Sequence, residues 1–439
     1  MPDPIFNEAT PKRITQDYFK VTGGNPMHGE FVVQGAKNAV LKQMAATILA
    51  TGEHHLLNVP RIVDVEIMAE LLVSMGLECS FEGDHHLVIV TPPASEIRPF
   101  ADYELVEKIR ASITVLGPLL ARLNEVTMSM PGGDDFGHRP IDIHLNALRE
   151  LGATFSTSHG YIDGKAKTLQ GTTLILDFPS HTATDNVMMA AVLAQGTTTI
   201  QNAAREPEVI DLGLMLNSMG AKISGLGSSM LTIEGVPKLN PANYRIVSDR
   251  IDAATAIAGV AMNKGDVFLK NAVIRHMDML LRKLSKTGVE FIAYNDGFRV
   301  KADRTIDAVE IATLPYPGIA TDYLPLLVAT LAIATGDSIV TENLFAGRFK
   351  YVDELRRLGA SMSIHGHHIV IKGVKTLQGT QVRASDIRAG AALLVAATAA
   401  DGESKIFGTS HVQRGYEDLV GRLGGLGAKI ELVRHETTP

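Results

Sequence analysis

The sequence is poor in the residue types that mark several classes of protein. Its 439 residues include one cysteine, Cys79, and no tryptophan. A lone cysteine excludes an internal disulfide and a structural zinc site of the cysteine type, which fits a reducing compartment. No apolar run approaches the ~18 residues of a membrane span, and the polar stretch from Met1 to Lys20 lacks the apolar region of a signal peptide. We therefore expect a cytoplasmic protein.

The chain also lacks a large excess of charge of either sign. The chain has 41 Lys and Arg against 48 Asp and Glu, which gives a formal net charge of -7. This balance provides no broad positive surface for nucleic acid or for an anionic membrane, so any basic residues that bind a ligand must act locally. With 45% apolar residues, and domains of roughly 100 to 200 residues, the chain can form two to four domains with sizeable cores.

An internal repeat is the most informative feature that is present. A short phrase of an apolar residue, two variable residues, an apolar residue or threonine, and glycine recurs six times. Its glycines are Gly76, Gly152, Gly220, Gly288, Gly359 and Gly427. They are 68 to 76 residues apart, so six units account for nearly the whole chain.

Each unit predicts the same local structure. The segment before the glycine has apolar residues at helical spacing, and glycine readily adopts the left-handed conformation that ends a helix. Two alternating stretches joined by a turn follow, as in residues 361–373, and predict a hairpin. A strand precedes each of these helices, and an apolar helix such as residues 389–400 completes the unit.

One arginine lies shortly before the repeat helix of every unit: Arg61, Arg139, Arg205, Arg275, Arg348 and Arg414. Exposed N–H groups and the positive end of the helix dipole favour anions at such positions. Six of these ends form two anion-binding clusters if the units pack three by three. Some of the arginines, Arg61, Arg205 and Arg275 in particular, can equally well only cap or pair within the fold.

The order of the elements predicts two similar domains. A strand over residues 19–34 precedes the first full unit and is expected to complete the second half of the molecule. Crossovers then fall near residues 35–38 and 244–249. The first domain is predicted to span residues 37–247, and the second to combine residues 1–36 with 248–439. A cleft between two domains is a usual ligand site.

Three segments of the first predicted domain carry residues suited to chemistry. Lys37 and Asn38 lie at a crossover, although a lysine after glycine can also be a solvated turn residue. Arg110 opens an apolar helix. Residues 131–140 contain glycines, prolines, two adjacent acids and Arg139, which is the composition of a mobile lid, or else of a simple surface loop.

The second predicted domain places acids and arginines at comparable ends of its units. Asp322 starts an apolar helix, and Asp386 with Arg388 occupies the same kind of junction in the next unit. Each acid is suited first of all to capping a helix. Their convergence with Arg348 and Arg414 favours a ligand site. No phosphate-binding loop or dinucleotide motif occurs, and a metal role for the paired histidines, as at His85 and His86, is not expected.

Taken together, the motifs resemble the bacterial UDP-N-acetylglucosamine enolpyruvyl transferases from about Tyr18 to Glu431. The matching stretches are GAKNA, RASI.VLGPLLAR, PGG...G.RP.D.H, NAAREPE..D, DRI, ATD, TEN.F..RF, SDIRAGA and RGYE. The resemblance implies an inside-out α/β barrel pair, in which six βαβαββ units form two similar domains. This agrees with the repeat count, which was obtained independently.

The resemblance also implies an activity. Members transfer the enolpyruvyl group of phosphoenolpyruvate to the 3-hydroxyl of UDP-N-acetylglucosamine, the first committed step of peptidoglycan synthesis, without a metal or other cofactor. C3 of phosphoenolpyruvate is protonated, the sugar hydroxyl adds to C2, and the intermediate loses phosphate and a C3 proton. Such chemistry needs cations around a phosphate and a carboxylate, together with positioned acids and bases.

Residue roles follow from the same resemblance. It implies that Asp322 accepts the proton of the 3-hydroxyl and that Asn38 helps to position the sugar. The phosphate is expected to contact Lys37, Arg139 and Arg414. The carboxylate is expected to face Arg348 and Arg388, and the nucleotide to lie along Arg110, Pro140, Asp142 and His144. Ser180 and Asp386 complete the expected set of substrate-binding residues.

This sequence departs from the family pattern in three respects. Asp134 replaces the usual lid cysteine, so a carboxylic acid is expected to deliver the C3 proton. The epoxide fosfomycin inactivates the family by alkylating that cysteine, and it is therefore not expected to inactivate this protein. Phe178 and the stretch Ser180 to Thr184 replace the usual lysine and Ser-Val-Gly-Ala-Thr at the diphosphate. Three alternatives remain: a different UDP-sugar, another acceptor such as shikimate 3-phosphate, or a non-catalytic nucleotide-sugar sensor.

Overall fold

The computed structural model describes residues 16–133, 141–345 and 347–434. Within these ranges the strands are β1 Tyr18–Thr22, β2 His28–Val32, β3 Gly52–Leu57, β4 Glu78–Phe81, β5 His86–Thr91, β6 Phe100–Ala101, β7 Glu125–Ser129, β8 Thr154–Ser158, β9 Tyr161–Lys165, β10 Thr173–Ile175, β11 Thr197–Gln201, β12 Lys222–Ser224, β13 Met230–Glu234, β14 Asn243–Arg245, β15 Gly265–Lys270, β16 Glu290–Tyr294, β17 Gly297–Ala302, β18 Ile311–Ala312, β19 Asp337–Thr341, β20 Ser361–His365, β21 His368–Lys372, β22 Leu377–Gln378, β23 Gln381–Arg383, β24 Ala400–Asp401, β25 Glu403–Phe407 and β26 Lys429–Val433.

The α-helices of the same ranges are α1 Lys37–Ala46, α2 Val63–Ser74, α3 Tyr103–Lys108, α4 Leu116–Leu123, α5 Asp142–Glu150, α6 His181–Ala191, α7 Pro207–Ser218, α8 Arg250–Asn263, α9 Asp278–Ser285, α10 Leu324–Leu331, α11 Lys350–Arg357, α12 Ile387–Thr398, α13 Thr409–Gln413 and α14 Leu419–Gly425. Short 3-10 helices span Thr47–Leu49, Ala94–Glu96, Arg110–Val115, Ile274–His276 and Thr321–Tyr323. No helix in the described part of the chain is long and apolar enough to cross a membrane.

The six repeat units correspond to six four-stranded sheets of one design. Their strand orders are β14-β3-β5-β4, β6-β7-β9-β8, β10-β11-β13-β12, β2-β15-β17-β16, β18-β19-β21-β20 and β23-β25-β1-β26. In each sheet an outer strand runs parallel to the strand that precedes the repeat helix, and two antiparallel strands follow. The predicted strand, helix and hairpin are therefore confirmed in five units, whereas in the sixth β26 pairs with β1 from near the start of the chain.

The repeat glycines end their helices as the sequence predicts. All six have left-handed φ values between 92° and 106°: Gly76, Gly152, Gly220, Gly288, Gly359 and Gly427. A side chain at such a φ is strained by contact between its Cβ and the following carbonyl oxygen. Glycine at these positions therefore stops each helix and turns the chain into the hairpin.

The single strand predicted over residues 19–34 is wrong, because this segment forms two strands in different sheets. β1 lies antiparallel between β25 and β26, whereas β2 runs parallel to β15. Gly23, Gly24 and Pro26 interrupt the segment, and a Cβ at Gly23 would lie 2.0 Å from the Ala400 carbonyl oxygen. Both strands pair with strands from the second half of the chain.

The buried apolar residues form two separate clusters. One draws on residues 36–246, and the other on residues 19–33 together with 251–428. We call the parts built around them the first lobe and the second lobe. Two chain segments connect the lobes side by side: Ala36 N donates to the Val247 carbonyl oxygen at 2.8 Å, and Asp249 N donates to the Gln34 carbonyl oxygen at 2.8 Å.

Each lobe has apolar helices inside and sheets outside. In the second lobe α10 and α12 are buried along their whole length, and α8 is buried except at its last residue. The corresponding helices of the first lobe, α1, α4 and α6, are buried over most of their length. Many of their residues are alanine or glycine, which allows close packing. The polar ends of these helices are the positions that meet between the lobes.

Candidate active site

The first group of charged residues lies where the second lobe contacts the first. Lys37, the first residue of α1, places its Nζ 2.9 Å from Asp64 Oδ2. Arg414, at the end of α13, places its Nε 2.8 Å from Asp64 Oδ1 and donates to the Lys108 carbonyl oxygen at 3.3 Å. The Asp64 side chain is only 2% exposed, whereas Lys37 and Arg414 are 12% and 17% exposed. Two cations from different lobes therefore share one buried carboxylate.

The second group surrounds Asp322 in the 3-10 helix Thr321–Tyr323. Arg348 Nη1 donates to Asp322 Oδ1 at 3.0 Å, and Arg388 Nε donates to Oδ2 at 3.3 Å. Asn38 Nδ2, from the first lobe, donates to Oδ2 at 3.4 Å. Arg348 and Arg388 are buried, whereas the Asp322 side chain is 25% exposed. Asp322 is thus held between two buried arginines and remains partly exposed.

The charge around Asp322 keeps it ionised. Burial alone would raise its pKa, but Arg388 and Arg348, with Lys37 further away, hold the pKa of this carboxyl far below its usual range. Taken together, the two groups pair four cations with two carboxylates. A chain of net charge -7 thus brings four cations together here.

Asp386 supports the second group. It is the N-cap of α12, where its Oδ1 accepts from the backbone N–H groups of Arg388 at 2.9 Å and Ala389 at 3.0 Å. The sequence left open whether this acid caps a helix or belongs to a ligand site. In the structure it caps the helix whose second residue is Arg388, so it acts on the site through that arginine.

The residues expected along the nucleotide lie on the first lobe. Arg110 Nη1 donates to the Pro131 carbonyl oxygen at 2.9 Å. His144 is buried, and its ring contacts Asn186 Nδ2 at 2.9 Å and Thr182 Oγ1 at 3.2 Å. Burial lowers the pKa of His144 to about 3, so the ring is neutral.

Ser180 and Asp142 stand at helix starts close to these residues. Ser180 caps α6, where its Oγ accepts from Ala183 N at 3.4 Å. Asp142 is the first residue of α5 and is exposed. Asp134, Arg139 and Pro140 lie outside the described residues, so their expected roles stay predictions from the sequence.

Arg61 has a different environment from Arg348 and Arg414. Its side chain donates to the carbonyl oxygens of Gly83 and Asp84 at 2.6 and 2.8 Å, and its guanidinium lies 3.5 Å from the centre of the Phe81 ring. These contacts fasten the loop before α2 to the hairpin of its own unit. Of the two readings that the sequence left open for this arginine, the contacts agree with pairing within the fold.

Several charged residues of the site were missed by reasoning from sequence. Asp64 lies in the first turn of α2, where acids are common because of the helix dipole, so nothing in its surroundings in the sequence marks it. Lys42 places its Nζ 2.7 Å from Asp185 Oδ2 and 2.8 Å from His181 Nδ1. The motif GAKNA contains Lys37, but no motif points to these pairs.

Comparison with known proteins assigns the family. A family model described as EPSP synthase (3-phosphoshikimate 1-carboxyvinyltransferase) matches residues 21–423. A UDP-N-acetylglucosamine 1-carboxyvinyltransferase of Corynebacterium jeikeium is 46% identical over 95% of this chain and 100% of that protein. The protein of the same name from Mycobacterium leprae is 46% identical over 94% and 99%. The chain belongs to the EPSP synthase family. Within that family, its similarity is to the UDP-N-acetylglucosamine 1-carboxyvinyltransferases.

Solved structures of an enolpyruvyl transferase and of an EPSP synthase have the same fold. The enolpyruvyl transferase NikO from Streptomyces tendae superposes with a TM-score of 0.85, at 24% identity, over 96% of this chain and 100% of that one. EPSP synthase from Acinetobacter baumannii superposes with a TM-score of 0.75, at 20% identity, over 95% and 100%. The predicted fold class, a two-domain α/β fold built from six repeat units, is confirmed.

Proposed function

We propose that this chain transfers the enolpyruvyl group of phosphoenolpyruvate to the 3-hydroxyl of UDP-N-acetylglucosamine. The observation that carries the proposal is the position of Asp322, which lies between Arg348 and Arg388 and faces Asn38 across the lobes. The arrangement offers an ionised carboxylate next to cations that suit a carboxylate ligand. The names and coverage of the relatives support the same reaction.

The two charged groups suit the two ends of phosphoenolpyruvate. We assign Arg348 and Arg388 to its carboxylate, because guanidinium groups bind carboxylates in a planar geometry. Lys37 and Arg414 are assigned to its phosphate, to which Arg139 adds if the resemblance holds there. Bound between the groups, the ligand has its reactive C2 close to Asp322.

The reaction then proceeds by addition and elimination. A proton is delivered to C3, which makes C2 electrophilic, and the oxygen of the 3-hydroxyl bonds to C2 while Asp322 accepts the hydroxyl proton. In the second half, the bond from C2 to the phosphate oxygen breaks, phosphate leaves, and C3 loses a proton to restore the double bond. Arg414 and Lys37 stabilise the negative charge on the departing phosphate. We assign the proton delivery at C3 to Asp134, from the sequence.

Ligand binding also adjusts the basicity of Asp322. In the structure the carboxyl has two arginine partners that hold its pKa far below the usual range, which makes it a weak base. A substrate carboxylate that binds Arg348 and Arg388 takes part of this stabilisation away and adds a second negative charge nearby. Both effects raise the pKa of Asp322, so the base becomes stronger when phosphoenolpyruvate is bound.

A second candidate is the same transfer to a different UDP-sugar. It is favoured by His181 and Thr182, which stand at the N-terminus of α6 where the family usually has valine and glycine. Thr182 contacts His144, and the His181 ring lies against Lys42 Nζ, so both side chains occupy space beside the expected nucleotide. Discrimination between sugars that differ in one polar group depends on such contacts.

One experiment separates the two candidates. Phosphate release is measured with phosphoenolpyruvate and a panel of UDP-sugars, and each product is identified by mass spectrometry. The proposal requires the highest kcat/KM with UDP-N-acetylglucosamine and a product heavier by one enolpyruvyl group. A higher value with another UDP-sugar supports the second candidate, and phosphate release with none of them contradicts both.

We place the reaction in the cytoplasm, in line with the single cysteine.

A further inference from the structure

A line of buried polar contacts runs from the first lobe to the 3-10 helix that carries Asp322. Arg250, the first residue of α8, binds Glu208 of α7 with two prongs: Nε donates to Oε1 at 2.9 Å, and Nη2 donates to Oε2 at 3.3 Å. The third nitrogen, Nη1, donates to the hydroxyl oxygen of Tyr323 at 3.2 Å. All three side chains are buried, with at most 7% exposed.

The geometry of this pair matters more than its contribution to stability. Burial alone would raise the pKa of Glu208, but Arg250 and the cationic surroundings lower it to about 2, so both partners are charged. Removing two charges from water offsets most of the attraction between them, and buried ion pairs therefore add little net stability. A two-pronged pair does fix the direction of the guanidinium, and with it the direction of Nη1.

The 3-10 helix Thr321–Tyr323 is held on both sides of Asp322. Thr321 Oγ1 donates to Glu342 Oε2 at 2.6 Å and accepts from Arg348 Nη1 at 2.9 Å. On the other side, Tyr323 accepts from Arg250. The 3-10 turn leads directly into the buried helix α10, and these side-chain contacts add anchors to a turn whose own hydrogen-bond geometry is poor.

We propose that Arg250, oriented by Glu208, is a positioning residue that aligns Asp322 through Tyr323. Glu208 belongs to the first lobe, whereas Arg250, Tyr323 and Asp322 belong to the second. The base is therefore aligned through a contact that exists only while the lobes are joined. This inference rests on the proposed function, in which Asp322 accepts the proton of the acceptor hydroxyl.

Two tyrosines next to the same guanidinium provide a matched test. The rings of Tyr323 and Tyr316 lie 5.5 and 5.6 Å from the Arg250 guanidinium carbon, but the Tyr316 hydroxyl donates to the Arg275 carbonyl oxygen instead. Tyr323→Phe is expected to lower kcat about fivefold, because one hydrogen bond that aligns the base is lost. KM for both substrates is expected to stay within about twofold, and Tyr316→Phe to leave kcat and KM unchanged.

Arg250→Lys tests the same link from its other side. Lysine keeps one positive charge near Glu208 but cannot make the two-pronged pair and reach Tyr323 at the same time. We expect kcat to fall, and Tyr323→Phe to have no further effect in the Arg250→Lys background. If Arg250→Lys does not fold, the comparison of Tyr323→Phe with Tyr316→Phe decides the matter, and if Tyr323→Phe does not fold, kcat of Arg250→Lys decides it.

The outcomes against the inference are specific. Full kcat in the folded Tyr323→Phe or Arg250→Lys protein overturns it, as do losses that add in the double variant or an equal loss in Tyr316→Phe. A rise in KM with unchanged kcat overturns it as well, because a misaligned base lowers turnover and leaves binding intact. Failure of the unmodified protein to release phosphate contradicts the proposed function instead.

Discussion

Asp322 shows how the surroundings of one residue set its chemistry. Asparagine at this position has nearly the same shape and keeps an oxygen that accepts from Arg348, but it loses the proton acceptor and the oxygen that accepts from Arg388 and Asn38. We expect Asp322→Asn to bind both substrates with nearly unchanged affinity and to lose about 100-fold or more in kcat. Calorimetry and steady-state kinetics measure the two quantities. An unchanged kcat contradicts the assignment of Asp322 as the base.

Asp64 is a buried charge on which two cations depend. Asp64→Asn leaves Lys37 and Arg414 without their charged partner, and removal of one member of a buried group of charges typically costs about 3 kcal/mol of unfolding free energy. Urea denaturation at neutral pH measures the loss. The control is Asp84→Asn, at an exposed position of the same unit, where we expect a change within about 0.5 kcal/mol. Equal stability of the two variants would show that Asp64 does not contribute this free energy of unfolding.

Asp134 allows a prediction from chemistry alone, because it lies outside the described residues. Thiolates are strong nucleophiles, whereas a carboxylate reacts far more slowly with an unactivated epoxide. We expect the unmodified protein to turn over normally with fosfomycin and Asp134→Cys to be inactivated with a covalent adduct. Cys79 cannot replace that thiol, because it lies on β4 and burial raises its pKa to about 12.

The control for this experiment is Asp134→Asn, which can neither transfer the C3 proton nor attack the epoxide. It should lose turnover, whereas Asp134→Cys should retain some. Time-dependent inactivation of the unmodified protein, or full activity of the asparagine variant, contradicts the role assigned to Asp134.

At the scale of elements, the glycine after each repeat helix is required because of its backbone conformation. Gly359 has φ 92°, and a Cβ there would meet no atom closer than 3.9 Å, so alanine is opposed by conformation and not by space. We expect Gly359→Ala to lower the free energy of unfolding by about 1 to 2 kcal/mol. The measurement is a denaturation midpoint at unchanged m-value.

A second glycine provides the control of opposite sign. Gly424 lies inside α14 at an ordinary φ, and a Cβ there would meet nothing within 4 Å. Alanine is the better helix former, so Gly424→Ala should raise stability by up to about 1 kcal/mol. If both variants shift the midpoint in the same direction, the left-handed conformation is not what selects glycine after the repeat helix.

At the scale of the whole molecule, the two lobes differ in how the chain builds them. The first core uses one continuous segment, whereas the second core needs both ends of the chain. We expect a fragment of residues 36–247 to fold and unfold cooperatively without activity, because it has its own core and all strands of its three sheets. Circular dichroism and thermal unfolding test this expectation, and with it the predicted domain boundaries.

The complementary fragment is the control. Residues 248–434 lack β1 and β2, which leaves two sheets incomplete and their edges open. This fragment should aggregate or remain unfolded, and fusion of residues 16–35 to its C-terminus through a flexible linker should restore folding. Cooperative unfolding of residues 248–434 alone would show that the N-terminal strands are dispensable.

The sequence by itself determined the repeat and most of its local structure. The six glycines, the alternating stretches and the apolar helices are patterns within about 70 residues, where backbone conformation and the period of apolar residues decide the outcome. The same patterns placed Asp322, Arg348 and Arg388 near the starts of helices, which is where the structure has them, whereas Arg414 lies at the C-terminal end of α13. Residues 18–32 were harder to predict, because the sequence of a short strand does not show which sheet the strand joins.

Only the tertiary structure decided which of these ends meet. Arg414 and Asp64 are 350 positions apart, Asn38 and Asp322 are 284 apart, and β1 pairs with strands near the other end of the chain. No local pattern encodes such partners, since they depend on how six similar units are wound into two lobes. Charges buried at that junction also require partners to offset desolvation. The identity of the paired residues, including Glu208 with Arg250, is therefore set by the packing of the lobes.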